Sequence, residues 1–364
     1  MSEHTNIAWA DSTFNPWIGC TKVGPGCDGC YAEVLMDARY GRVKWGPGQP
    51  RSRTSNAYWR KPLAWNGQPF VECMECGWRG ASRDAKLRDN CAGFDRDPGP
   101  MRICPDCDRP TLKDASRRVF CASLCDVFDN EVPEAWRYDL WDLIAETPHV
   151  TWMLLTKRIS NAITMLPWSG EDAHPGAAPP PNVWIGATVV NQEEADRDIP
   201  KLLRVPAAVR FLSIEPMLEA IDLTRIPRID HEHPHPSHYD LADIDWVIVG
   251  GESEQTGHRA RPFNVEWARD IVRQCVAAVV PVFVKQLGSE PRGWCAWNAP
   301  EHIGADEAAS LLANREDGEC VNFEASEQVI SCEQHGKRCV MFRDRAGADP
   351  SEWPADLRVR EFPK

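Results

Sequence analysis

Seven short apolar runs, rich in β-branched residues, recur along the chain and end in polar or charged positions: residues 14–19, 118–123, 151–157, 182–188, 209–216, 245–252 and 280–286. Near-continuous hydrophobic runs that alternate with helical segments are the pattern of a parallel sheet buried on both faces. Two crossover helices are predicted at 133–146, where Trp136, Leu140, Leu143 and Ile144 share a helical face, and at 266–278, with Trp267, Ile271 and Cys275. Six or seven such units predict an α/β fold, a full or partial (β/α) barrel whose chemistry collects at the C-terminal ends of its strands. A doubly wound open sheet is the structural alternative. Segments 166–182 and 225–239, rich in Pro with Gly, Ala or His, read as loops.

A chain of 364 residues is long enough for one such barrel with additions. The expected division is 1–69 as the first part of the barrel, 70–112 as an insertion, 113–290 as the rest of the barrel and 291–364 as an extension. The first residues are polar, and the longest apolar runs, such as 276–280, fall far short of the roughly 18 residues a membrane span needs. A soluble, cytoplasmic protein with no membrane partner is expected. The net charge of −13 argues against a broad nucleic-acid footprint. It leaves room for a local basic groove built from Arg51 and Arg53, Arg60 and Lys61, or Arg259 and Arg261.

Fifteen cysteines in a cytosolic chain of this size point to metal rather than to disulfides. Cys73-x2-Cys76 and Cys104-x2-Cys107 are two knuckles that together supply four thiolates to one tetrahedral ion, the donor set of a structural zinc ribbon. The residues between them are charged and poor in apolar side chains, so this insertion is expected to depend on its metal. Cys91 is left over. Cys20, Cys27 and Cys30 lie on a loop with Gly19, Gly24, Gly26 and Gly29, directly after the first predicted strand. Three soft thiolates there are suited to three irons of a [4Fe-4S] cube, with the fourth iron open to a ligand. The alternative is zinc with a fourth ligand such as Cys121 or Cys125, which otherwise read as buried small side chains. Cys320, Cys332, His335 and Cys339 are either a third metal site or reduced thiols. His231, His233, His235 and His238 read as part of an exposed crossover.

The Cys20-x6-Cys27-x2-Cys30 loop resembles, with a wider first gap, the three-cysteine loop of radical S-adenosylmethionine (SAM) enzymes. Trp9, Trp17, Tyr31 and Ala32 around it, together with 155–158, 182–186, 211–216, 247–253 and 283–286, resemble a phage- and bacteria-borne three-cysteine-motif family of radical-SAM-like proteins. The resemblance implies a radical SAM barrel in which Cys20, Cys27 and Cys30 ligate the cluster and SAM is cleaved to a 5′-deoxyadenosyl radical. Residues expected to contact SAM or substrate are the strand-end polar groups Ser123, Asp126, Thr156, Lys157, Thr188, Asn191, Ser213 and Glu215, with Gly250, Gly251 and Glu252. Glu252 and Lys285 are the expected catalytic residues. The implied substrate is a nucleic-acid base, a modified pyrimidine in DNA that is rearranged or repaired; a DNA or nucleotide partner follows, and a partner protein is left open. The competing function is a zinc- or cluster-stabilised binding or regulatory protein without turnover.

Overall fold

The computed structural model describes residues 5–88, 100–169, 178–228, 237–292 and 344–363. Cys91, His231, His233, His235, Cys320, Cys332, His335 and Cys339 lie outside them. Seven parallel strands form one sheet: β1 (Ser12–Phe14), β2 (Arg117–Cys121), β3 (Val150–Thr156), β4 (Val183–Thr188), β5 (Val209–Ile214), β6 (Trp246–Gly250) and β7 (Val282–Gln286). Their spatial order follows the chain order without a reversal, so the sheet is a curved half-barrel and not a doubly wound sheet. Strand β1 and strand β7 are its two edges, and the barrel is therefore partial.

The first strand lies earlier than the sequence predicts. Pro16 has no amide hydrogen to extend a ladder, and after it Trp17–Ile18 turns away to pair antiparallel with Ser52–Arg53. Between the strands run α1 (Glu134–Glu146), α2 (Ile159–Met165), α3 (Gln192–Arg204) and α4 (Val265–Ala277). The helices cover one face, where Val119, Cys121, Trp152, Leu154, Ile185, Leu212, Val247, Val249 and Val284 join a single core. The alternate residues fill the concave face with a second cluster of Trp9, Phe120, Met153, Phe211, Trp246, Ile248 and Phe283. This two-sided burial is why the strands are hydrophobic at nearly every position.

The open edge at β7 is protected by the end of the chain. Val284 N donates to Val359 O and Glu361 N to Val282 O, each at 2.9 Å, and Phe362 packs on Trp246 and Phe283 from the concave side. Covering an edge in this way removes a template for unwanted strand pairing. Between β1 and β2 stands a small antiparallel sheet, Arg79–Ala81, Phe70–Cys73 and Leu112–Ala115, beside a ladder of Lys86–Arg88 and Met101–Ile103. Arg79 Nε donates to Asp11 Oδ1 at 3.0 Å, which anchors this unit at the N-terminal ends of β1 and β2. No helix among the described residues is long and apolar enough to cross a membrane.

Candidate functional site

A cavity of about 910 Å³ opens at the C-terminal ends of the strands, the end at which α/β barrels carry their chemistry. Its floor is the aromatic cluster on the concave face, represented by Trp9 and Phe120, and its walls are strand-end polar residues. Cys20, Cys27, Cys30, Ser123, Asp126, Thr156, Lys157, Thr188, Ser213, Glu215, Gly251, Glu252 and Lys285 all line it. Two expected residues do not. Asn191 caps α3, its side chain accepting from Glu194 N at 2.8 Å, and Gly250 ends β6 with its backbone packed against Gln286.

The cysteine loop is held from several sides. Gly19, at φ +110°, turns the chain at Cys20 in a conformation that a side chain would strain. Gly29 lies so close to His258 and Glu252 that a Cβ there would meet them at 2.5 and 2.6 Å. Arg158 reaches across from the end of β3: its Nη1 donates to Cys20 Sγ at 3.2 Å and its Nη2 to Thr21 O at 2.6 Å. The same guanidinium pairs with Asp126 at 3.4 Å, and Asp126 accepts from Thr156 Oγ1 at 2.8 Å. Burial and then the nearby Asp126 charge push the Cys20 thiol up to about 12, and burial also raises Cys30. These thiols therefore stay protonated unless a bound cation replaces their protons.

Glu252 and Lys285, the expected catalytic pair, each have a charged partner. Arg261 Nε donates to Glu252 Oε2 at 2.8 Å and Arg261 Nη2 to Oε1 at 2.7 Å, a bidentate fork, while Lys285 Nζ pairs with Glu215. Burial works against the Glu252 charge, yet the Arg261 hydrogen bonds outweigh it and hold the carboxyl below its usual range. Arg261 Nη1 also donates to Pro25 O at 2.8 Å, so one side chain ties the loop after β6 to the cysteine loop. Lys157 lines the cavity without a carboxylate partner among the described residues, and its positive charge lies near Cys30.

His258 is a neighbour of the site that sequence reasoning missed; Arg158 entered it only as part of the 155–158 segment and Arg261 only as a candidate for a basic groove. Arg158 directly follows Thr156 and Lys157, so its place at a strand end was the available signal. Nothing local links Arg261 to Glu252. The proposed basic groove is largely neutralised: Arg51 is buried against Asp129, Arg53 pairs with Asp139, Arg259 with Glu290 and Arg261 with Glu252.

The second thiol site is separate. Cys73, Cys76, Cys104 and Cys107 place their sulfurs within 4.8 Å of one another, the one such group among the described residues, and can hold a metal ion. The two knuckles are built alike. Cys73 N bonds Trp78 O and Gly77 N bonds Cys73 O; Cys104 N bonds Arg109 O and Asp108 N bonds Cys104 O. Gly77 and Asp108 occupy the same left-handed turn position, at φ +76° and +57°. Donation from the Cys76 backbone N–H, then from the Thr111 hydroxyl, draws the Cys73 thiol down to about 6, a thiolate ready for a cation. None of the four cysteines lines the cavity.

Cys20, Cys27 and Cys30 are not gathered around one point in this way, nor do Cys121 or Cys125 complete a compact four-ligand set with them. Fold and site thus define a parallel half-barrel protein with a cysteine-rimmed cavity and, apart from it, a four-thiol group that can hold a metal ion. Residues 4–317 match the family described as “Protein of unknown function (DUF5131)”, and the chain belongs to it. No curated protein and no solved structure matches the chain.

Proposed function

We propose that this protein is a radical SAM enzyme of partial-barrel type, in which Cys20, Cys27 and Cys30 hold a [4Fe-4S] cluster and the cavity receives SAM together with a nucleic-acid base. The observation that carries this reading is the convergence of three thiols and the strand-end polar groups on one cavity of about 910 Å³, within the size range of small-molecule sites. The cluster would supply the electron that cleaves SAM. The chain's own residues would position and shield. Arg158 offsets negative charge at Cys20, Lys157 offers an unpaired cation beside Cys30, and the aromatic floor keeps water from below. With Glu252 already occupied by Arg261, its part is to hold the cysteine loop rather than to bind the SAM amino group. Zinc is the metal proposed for Cys73, Cys76, Cys104 and Cys107, because four thiolates form a closed tetrahedral shell.

One observation favours the second reading, a cluster-stabilised protein without turnover: both expected catalytic charges are neutralised by partners. Anaerobic reconstitution separates the two. The enzyme reading expects about four irons and four sulfides per chain, the composition of the cube, and 5′-deoxyadenosine after addition of SAM and a strong reductant. Stoichiometric zinc at the cysteine loop removes the cluster. Failure of the loaded protein to bind SAM by calorimetry leaves the second reading.

A further inference from the structure

The charge of this acidic chain is unevenly spread. From Ala38 to Val71 there are seven basic residues and no acidic one, with Tyr40, Trp45, Tyr58, Trp59 and Trp65 among them. Several of these cations are spent internally, as Arg51 is on Asp129 and Arg53 on Asp139. Arg39 and Arg42 are different. Both are exposed, neither has a carboxylate partner among the described residues, and their guanidinium carbons stand 5.5 and 5.4 Å from the centroid of the Tyr40 ring. Tyr40 itself is 52 % exposed.

The backbone presents this trio deliberately. The helix that begins at Tyr31–Glu33 widens to π geometry over Val34–Arg39, so that Tyr40 N bonds Leu35 O at 3.1 Å and Arg42 N bonds Met36 O at 2.8 Å. Widened turns of this kind commonly mark functional positions. The returning segment is stapled by Asp37, which accepts from Lys44 Nζ at 2.9 Å and from Trp45 N at 2.8 Å. Met36 and Val43 are packed beneath with Ile18, Ala32 and Leu124, which gives the excursion an apolar support. It leaves the cavity at Tyr31 and comes back to it at Trp45, both of which line the wall, and Gly46 N bonds Cys20 O at 3.0 Å.

We propose that the Arg39-Tyr40-Gly41-Arg42 tip is a contact surface for single-stranded nucleic acid and guides a strand toward the cavity mouth. An exposed aromatic ring is a platform for a base, which stacks irrespective of sequence, and two unpaired guanidiniums are phosphate partners. The inference rests on the nucleic-acid reading of the cavity for its direction, while binding at the tip needs neither cluster nor SAM.

The test is fluorescence anisotropy with labelled single-stranded oligonucleotides, one DNA and one RNA of mixed sequence, added to the full chain without SAM or reductant. The wild-type chain is expected to bind at least one of them at low salt, and the two arms tell which. Tyr40→Ala should weaken binding about tenfold, the size of one lost stacking contact, whereas Tyr40→Phe should retain it. The Arg39→Gln/Arg42→Gln double variant should weaken binding and reduce the slope of log affinity against log salt by roughly 1.4, two phosphate contacts on a single strand. Arg225→Gln/Arg273→Gln, on arginines remote in sequence from the tip, should bind like wild type. Absence of binding at low salt, equal affinity of Tyr40→Ala and wild type, or an equal loss in the Arg225/Arg273 control overturns the proposal. Because the cluster is not involved, those failures leave the cofactor assignment standing, and a failed reconstitution leaves this surface standing.

Discussion

Arg158 Nη1 lies 3.2 Å from Cys20 Sγ, a contact between residues 138 positions apart in the chain. The guanidinium is almost fully enclosed and is held by Asp126 at 3.4 Å and Asp129 at 4.0 Å, so its direction is set by two carboxylates and not by solvent. A donor to a cluster thiolate favours the more reduced, more negative state and raises the reduction potential. Arg158→Gln should therefore move the potential of the reconstituted cluster downward, and Arg158→Lys should move it less because the charge stays. Redox titration followed by electron paramagnetic resonance reads this directly. An unchanged potential in Arg158→Gln, with iron content intact, means that the hydrogen bond does not reach a cluster ligand.

The fork between Arg261 and Glu252 predicts a dependence on pH. Removing one partner of a buried, hydrogen-bonded pair costs about 3 kcal/mol, and Arg261, a quarter exposed and also touching Asp28, places Glu252→Gln at or below that figure. The Glu252 carboxyl is held below its ordinary value of 4.5, so its contribution is complete above that value and is lost as pH falls through the lower folded-state value. Urea denaturation should show Glu252→Gln less stable than wild type at pH 7, with the gap closing in acid. Proteolysis within residues 20–30 should also quicken at pH 7, because the same arginine secures that loop. A gap that persists undiminished well below pH 4.5 would contradict the assignment.

Strands and cavity walls were legible in the sequence because each depends on local chemistry. Runs such as 245–252 are hydrophobic at almost every position only when both faces are buried, and once they are strands, the polar residues at their ends fall on one rim. The first strand slipped because residues 14–19 look continuous while Pro16 interrupts the ladder. The paired knuckles were visible for the same reason of locality, since Cys73 and Cys76, like Cys104 and Cys107, are joined by one turn. Partnership was not legible. Whether Glu252 faces a ligand or Arg261 is decided by the path of the loop after β6, and Asn191 at a strand end is indistinguishable in sequence from Asn191 capping the next helix.

The four-thiol group should be structurally important but chemically remote. Its unit meets the barrel through Arg79 and Asp11 at the N-terminal ends of the strands, opposite the cavity. Cys104→Ser should release one metal ion per chain and expose residues 70–115 to protease, since a small antiparallel sheet with few apolar residues depends on such a closure. The far-ultraviolet signal of the barrel and the iron content of the cysteine loop should both persist. Loss of the ion without new cleavage in that segment would show that the metal does not hold the unit together.

Gly29 and Gly26 offer a contrast that tests how tightly the cysteine loop is set. A methyl group at Gly26 would meet one methyl of the buried Val190 at 2.8 Å, and Lys157 Cε, near the end of a flexible chain that can swing aside, at 3.3 Å. At Gly29 it would meet the His258 ring at 2.5 Å and Glu252 Oε1 at 2.6 Å. Glu252 cannot give way, because the Arg261 fork fixes both of its oxygens, and His258 is confined beside it at 3.4 Å. The loop must move instead, carrying Cys27 and Cys30 away from the cavity. Gly29→Ala should fold with a normal circular dichroism spectrum yet retain less than about a tenth of the wild-type iron after reconstitution, in line with the 10- to 100-fold losses seen when the support of a metal ligand is disturbed. Gly26→Ala, which overlaps a single methyl group and less deeply, should keep more of it than Gly29→Ala. Wild-type iron content in Gly29→Ala would mean that the latch between Arg261 and Glu252 yields, and that the loop is not held by it.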